Sequence, residues 1–140
     1  MTNKPNPPPL HLHPNRHLRL TNRNWQQLTA GYAVLIAVLA VWPFSPETSR
    51  VIGPLDKLLH LCEYLLLAWC VVQAARASGW PRGNALTLAF LFPAGFGVFL
   101  EGVQSVLPYR SAELWDLVAN TMGACLGMQA GWLVIDQEEE

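Results

Sequence analysis

Four apolar blocks, each of roughly 18 to 22 residues, divide this chain, and each is long enough to cross a bilayer as a helix. A helix in hydrocarbon satisfies its own backbone hydrogen bonds, so blocks of this length leave few folds open. The expectation is an all-α integral membrane bundle of four transmembrane helices, with the lipid bilayer as its first partner. Composition agrees. Hydrophobic residues make up 51% of the 140 residues and charged residues 14%, against about 25% charged in an average soluble domain. The net charge of -1 and the lack of a basic stripe beyond the N-terminal tail give no footprint for nucleic acid.

Residues 1–24 are polar and carry Pro5, Pro7, Pro8 and Pro9, which predicts a disordered tail. His11, His13 and His17 lie in it with no acidic or thiol partner nearby and read as solvated. The tail is too long and too rich in proline to open a cleaved signal peptide, so the block after it is read as retained. Residues 25–135 form the transmembrane domain, and 136–140 a solvated acidic tail. The first span, Trp25 to Phe44, has no charge, carries tryptophan at both ends, and is closed by Pro43 and Pro46.

The second span, Asp56 to Ala77, puts Asp56, His60, Glu63 and Tyr64 on one helix face. Gly79, Pro81 and the residues up to Asn84 mark a turn. The third span, Ala85 to Leu107, holds Pro93, Gly95 and Gly97 at its middle, where a kink or a close helix contact is expected. Glu101 falls about six residues, or roughly 9 Å, before its end, with Gln104 one turn further on. Pro108 to Arg110 turns the chain into the fourth span, Leu114 to Ile135. Asp116, Asn120, Gly123, Gly127 and Gly131 share one face of that span. Its G-x-x-x-G-x-x-x-G spacing serves close packing, within one chain or between two copies in a homo-oligomer. Cys62, Cys70 and Cys125 lie inside apolar segments in an odd number and read as small fillers.

An even number of spans puts the start of the second, the end of the third and the start of the fourth on one side. Asp56, Lys57, His60, Tyr64, Glu101, Gln104, Arg110, Asp116 and Asn120 therefore gather at one membrane face. Lys4, Arg16, Arg19, Arg23, Arg76 and Arg82 fall on the opposite side, against Arg50, Lys57 and Arg110 on the side of the site. That bias predicts both termini in the cytoplasm and the polar site facing out. Each residue alone has an ordinary reading: helix-terminal charges, a packed histidine, a Glu101–Arg110 ion pair. Their segregation at one end favours a functional site, because ionisable groups in membranes are costly unless they have a role or a partner.

D-K-x-x-H-x-x-x-Y at Asp56, Lys57, His60 and Tyr64 resembles the first motif of the VanZ-like membrane proteins. E-x-x-Q, P-x-R and D-x-x-x-N-x-x-G-x-x-x-G resemble their second, at Glu101, Gln104, Pro108, Arg110, Asp116, Asn120, Gly123 and Gly127. The resemblance covers about Asp56 to Gly131. It implies a bacterial inner-membrane protein with an outward-facing site, in a family whose name-giving member is linked to resistance to the glycopeptide teicoplanin. Glu63 is outside the pattern and receives no role from it.

Four function classes follow. In the first, the site binds or modifies a lipid-linked or cell-wall head group: Arg110 and Lys57 meet phosphate or carboxylate, and Asp56, Tyr64, Gln104 and Asn120 complete the site. In the second it is a hydrolase or transferase with His60 and Glu101 as acid and base and Asp56 or Asp116 orienting His60. Ser105 and Ser111 are then weak nucleophile candidates, since no nucleophile motif is present. In the third the cluster only locks helix packing. In the fourth it relays protons, which the apolar far ends of the helices disfavour. His60, Glu101 and Asp116 offer one imidazole and two carboxylates without local ligand spacing, so the sequence specifies neither a metal nor a cofactor.

Overall fold

The computed structural model describes residues 20–44, 55–110 and 112–139. Residues 1–19, Pro46, Arg50 and Ser111, on which some of the expectations above fall, lie outside the described residues. Four helices carry the described chain: α1 (Asn22–Val41), α2 (Asp56–Ala77), α3 (Arg82–Gln104) and α4 (Leu114–Glu139). No strand occurs among the described residues. The all-α expectation holds.

Local chemistry sets the boundaries. The Thr21 hydroxyl accepts the Asn24 amide at 3.3 Å and caps α1. The helix ends where Trp42, held extended before Pro43, leaves the helical region. Asp56 suits the positive end of α2. That helix closes through Gly79, whose φ of 73° lies where a side chain would be strained, and Pro81 then starts α3. Pro93 sits buried inside α3, which runs unbroken past it.

Helix α3 ends three residues earlier than expected, because Ser105 and Val106 turn back onto the carbonyls of Glu101 and Val103. Glu101 is therefore in the last turn, roughly 4.5 Å from the helix end rather than 9 Å. Helix α4 runs on to Glu139, through residues expected to form a tail.

Three helices, α1, α2 and α3, are long and apolar enough to cross a membrane. Among the described residues α4 is not one of them, so three spans are shown where four were expected. Asp116, Asn120, Gln129 and three glycines lower its hydropathy. Those glycines turn toward α2. A Cβ on Gly123 would collide with the Leu61 carbonyl, one on Gly127 with the Leu65 carbonyl, and one on Gly131 would come within 3.0 Å of Val72. The partner numbers rise together, so α2 and α4 run parallel and start at the same end.

Helix α2 is the centre of the bundle. Tyr64, Leu67 and Leu100 pack with Ile36, the one residue of α1 that is fully buried. Val71, Val72 and Ala89 form a second cluster with Met128 and Trp132. Val34, Leu91, Val98, Phe99 and Leu133 point outward, a pattern that suits lipid. At mid-helix, Gly97 makes the close contact expected there: an added Cβ would lie 3.0 Å from Asn120 Nδ2 and 3.1 Å from Tyr64 Cε1. Gly95 meets nothing.

Backbone contact this tight leaves no room for a methyl group. Gly127→Ala is expected to destabilise the bundle by about 1 to 3 kcal/mol. Gly95→Ala, in open space, should be neutral or stabilising by up to about 1 kcal/mol. Unfolding of the purified proteins in mixed micelles measures both, and equal stability of the two variants would refute the packing account.

Candidate functional site

The parallel start of α2 and α4 brings their first-turn charges together. Lys57 Nζ lies 3.1 Å from Asp56 Oδ2 and 2.7 Å from Glu113 Oε2, and it also pairs with Asp116 Oδ1. One helix turn in, His60 Nε2 is 3.9 Å from both Asp56 Oδ1 and Asp116 Oδ2. Asp116 is 4% exposed, and an isolated carboxylate would be costly there. Lys57 supplies its counter-charge.

A second group of polar residues serves α1. The last four carbonyls of a helix have no partner within it. Here Gln104, the last residue of α3, and the segment after it supply side-chain donors. Gln104 Nε2 donates to Ala40 O at 3.0 Å, the Tyr109 hydroxyl to Val41 O at 3.1 Å, and Arg110 Nη2 to Leu39 O at 2.9 Å and Trp42 O at 3.3 Å. The Arg110 guanidinium also lies 5.0 Å from the centre of the Phe44 ring. Glu101 does not pair with Arg110 among the described residues. Its Oε2 accepts the Glu113 amide at 3.2 Å instead, tying the end of α3 to the start of α4.

Between these two groups lies a cavity of about 550 Å³. Ile36, Leu39, Ala40 and Phe44 give it an apolar wall. Asp56, His60, Tyr64, Glu101, Gln104, Arg110 and Asp116 line the polar side, so seven of the nine residues expected to gather do meet. Lys57 reaches the site through its carboxylate partners. Asn120, 2% exposed, is buried beside Gly97 and Tyr64, with Oδ1 lacking a hydrogen-bond partner.

Three lining residues were not foreseen: Glu63, Tyr109 and Glu113. Glu63 shares the Asp56–His60 face in the sequence, which was its signal. Glu113 stands just before α4, and the Asp116 amide donates to its carbonyl at 3.0 Å. Glutamate is not a preferred N-cap residue, so the sequence did not mark that position. Tyr109 gave no sign either. The metal set weighed from sequence, His60, Glu101 and Asp116, is not the one the fold gathers. Ligand atoms of Asp56, His60 and Asp116 lie within 4.8 Å of one another, and Glu101 is outside that group.

Residues 3–135 match the VanZ/LLP1 family. The chain belongs to the VanZ/LLP1 family. The match takes in α1 and most of the N-terminal tail, well beyond the motifs that begin at Asp56. Together with three apolar helices, membership in VanZ/LLP1 points to a membrane protein. The uncharacterized protein C11E3.10 of Schizosaccharomyces pombe is 32% identical over 104 residues, which is 74% of this chain and 61% of that relative. The chain thus spans less than two-thirds of the relative it matches. A fungal relative gives no support to the expected bacterial inner membrane. No solved structure matches.

Arg110→Met is expected to uncap α1. The Arg110 bonds are exposed and their acceptors keep the Trp42 and Phe44 amides as donors, so each lost bond costs about 0.5 to 1.5 kcal/mol. Hydrogen exchange followed by mass spectrometry should show faster exchange in peptides covering residues 39–44, with α2 unchanged. Unaltered protection there would refute the capping role.

Proposed function

We propose that this VanZ/LLP1 chain is a four-span membrane protein that holds the ammonium-bearing head group of a membrane lipid in the cavity at one membrane face. The observation that carries this reading is the lining of the cavity. One wall is apolar, formed by Ile36, Leu39 and Ala40 of α1 with Phe44. The other presents the carboxylates of Asp56, Glu63, Glu101, Glu113 and Asp116. Of the basic residues expected to meet a phosphate, Lys57 is held by three carboxylates, and Arg110 lines the cavity with Nη2 given to α1 carbonyls and its buried Nε unpaired among the described residues. An ammonium group suits such a lining better than an anion does.

Helix α4 serves as the fourth span in this reading. It has 26 residues, and its glycine face turns to α2 rather than to lipid, so its low hydropathy costs little. The excess of Lys and Arg on the far side supports cytoplasmic termini and an outward cavity. A bacterial inner membrane and a link to glycopeptide resistance rest on the VanZ resemblance alone.

A packing scaffold is the second reading, and one observation favours it: Gln104, Tyr109 and Arg110 all bind α1 backbone carbonyls. The hydrolase or transferase reading uses His60, Glu101 and Asp116 in the same cavity. The 3.9 Å between His60 Nε2 and Asp116 Oδ2 is beyond hydrogen-bond reach, which weakens it.

Native mass spectrometry of the protein released from nanodiscs of mixed phosphatidylethanolamine and phosphatidylglycerol tests the proposal. Phosphatidylethanolamine should be retained selectively. The double change Glu63→Gln and Glu101→Gln should weaken that retention by about tenfold, equivalent to about 1.4 kcal/mol. Retention that follows bulk lipid composition would favour the scaffold.

A further inference from the structure

The geometry points to a divalent transition-metal site formed by Asp56, His60 and Asp116, at the edge of the cavity. The two aspartates divide their oxygens. Asp56 gives Oδ2 and Asp116 gives Oδ1 to Lys57, and each turns its other oxygen toward His60 Nε2. Lys57, with Glu113 behind it, thus holds the outer oxygens and aims the inner ones at the imidazole. Such outer support is what orients carboxylate ligands in metal sites.

The imidazole is the independent observation. His60 has a side chain only 18% exposed, yet neither ring nitrogen has a hydrogen-bond partner among the described residues. Nδ1 is buried and unpaired, and Nε2 stands 3.9 Å from each carboxylate oxygen. That separation is too long for a hydrogen bond. Tetrahedral ligands each about 2.1 Å from one metal lie about 3.4 Å apart, so each carboxylate needs to close on Nε2 by only about half an ångström to share an ion. The positive ends of α2 and α4 explain why aspartates stand there. They do not explain why both aspartates turn an oxygen toward an unbonded histidine one turn inside the bundle. One nitrogen and two oxygens suit Zn²⁺ or Mn²⁺ better than Ca²⁺ or Mg²⁺. Three protein ligands leave a coordination position toward the cavity.

The test uses the full chain, purified without chelator on a tag free of histidine. His11, His13 and His17 are replaced by asparagine, because their imidazoles bind the same ions. Equilibrium dialysis against Zn²⁺ or Mn²⁺ in lipid-free detergent, with elemental analysis, should give about one ion per chain. His60→Ala and Asp116→Asn should each weaken retention about tenfold or more. No retained ion, or retention indifferent to both changes, would overturn the site. If either variant fails to fold, pulsed EPR of the Mn²⁺-loaded parent decides: coupling to one imidazole nitrogen is expected, and its absence refutes the assignment. Lipid retention measured with chelator present keeps this outcome separate from the head-group reading.

Discussion

Helix α4 lies against α2 backbone to backbone, and the rest of the structure depends on that contact. Gly123 and Gly127 meet the carbonyls of Leu61 and Leu65 with no side chain between. In lipid no hydrophobic force drives one helix onto another, so close approach is what van der Waals attraction and weak Cα–H contacts require. The seam also fixes register. Two parallel helices locked at these levels bring Asp116 opposite Asp56 and His60, and Glu113 opposite Lys57. The polar cluster is therefore a product of apolar packing deeper in the bundle, not of attraction among its own charges.

Charge at that end is arranged in two separate systems. Lys57 neutralises the acidic first turns of α2 and α4. Gln104 and Tyr109 donate to the carbonyls of Ala40 and Val41 at the end of α1, and Arg110 adds a donor to those of Leu39 and Trp42. The cavity lies between them, with Glu63 and Glu101 on its wall and no basic side chain paired to either among the described residues. A fully self-neutralised core would have joined Glu101 to Arg110 and closed that space.

Much of this was legible in the chain. Apolar block length gave the helices, and the four-residue spacing of glycines gave the packing face of α4. The even order of helices gathered the polar residues at one end. What the sequence withheld was which partner each charge takes. From the sequence Arg110 had two open partners, Glu101 or a ligand, and among the described residues its Nη2 goes instead to the backbone of α1. There it adds a second donor to the carbonyls of Leu39 and Trp42, which already accept the amides of Trp42 and Phe44. The end of α3 was misplaced for a similar reason, since the turn at Ser105 is stabilised by backbone bonds that no residue type announces. In its described residues α4 is less apolar than the other three helices, and its glycines and Asn120 face the bundle, where hydropathy matters less.

Helix α1 stands apart in how it is held. It buries one side chain fully and is tied at its far end by Gln26 donating to Ser78 at 3.1 Å. At the cavity end its carbonyl partners come 64 to 71 residues later in the chain. During synthesis α1 therefore emerges long before the groups that cap it exist. Its packing on Tyr64 and Leu67, the Trp25–Trp69 ring contact and the Gln26–Ser78 bond need only α2. Its cavity end, and with it the apolar wall of the cavity, gains the Gln104, Tyr109 and Arg110 donors only once the chain is complete through Arg110.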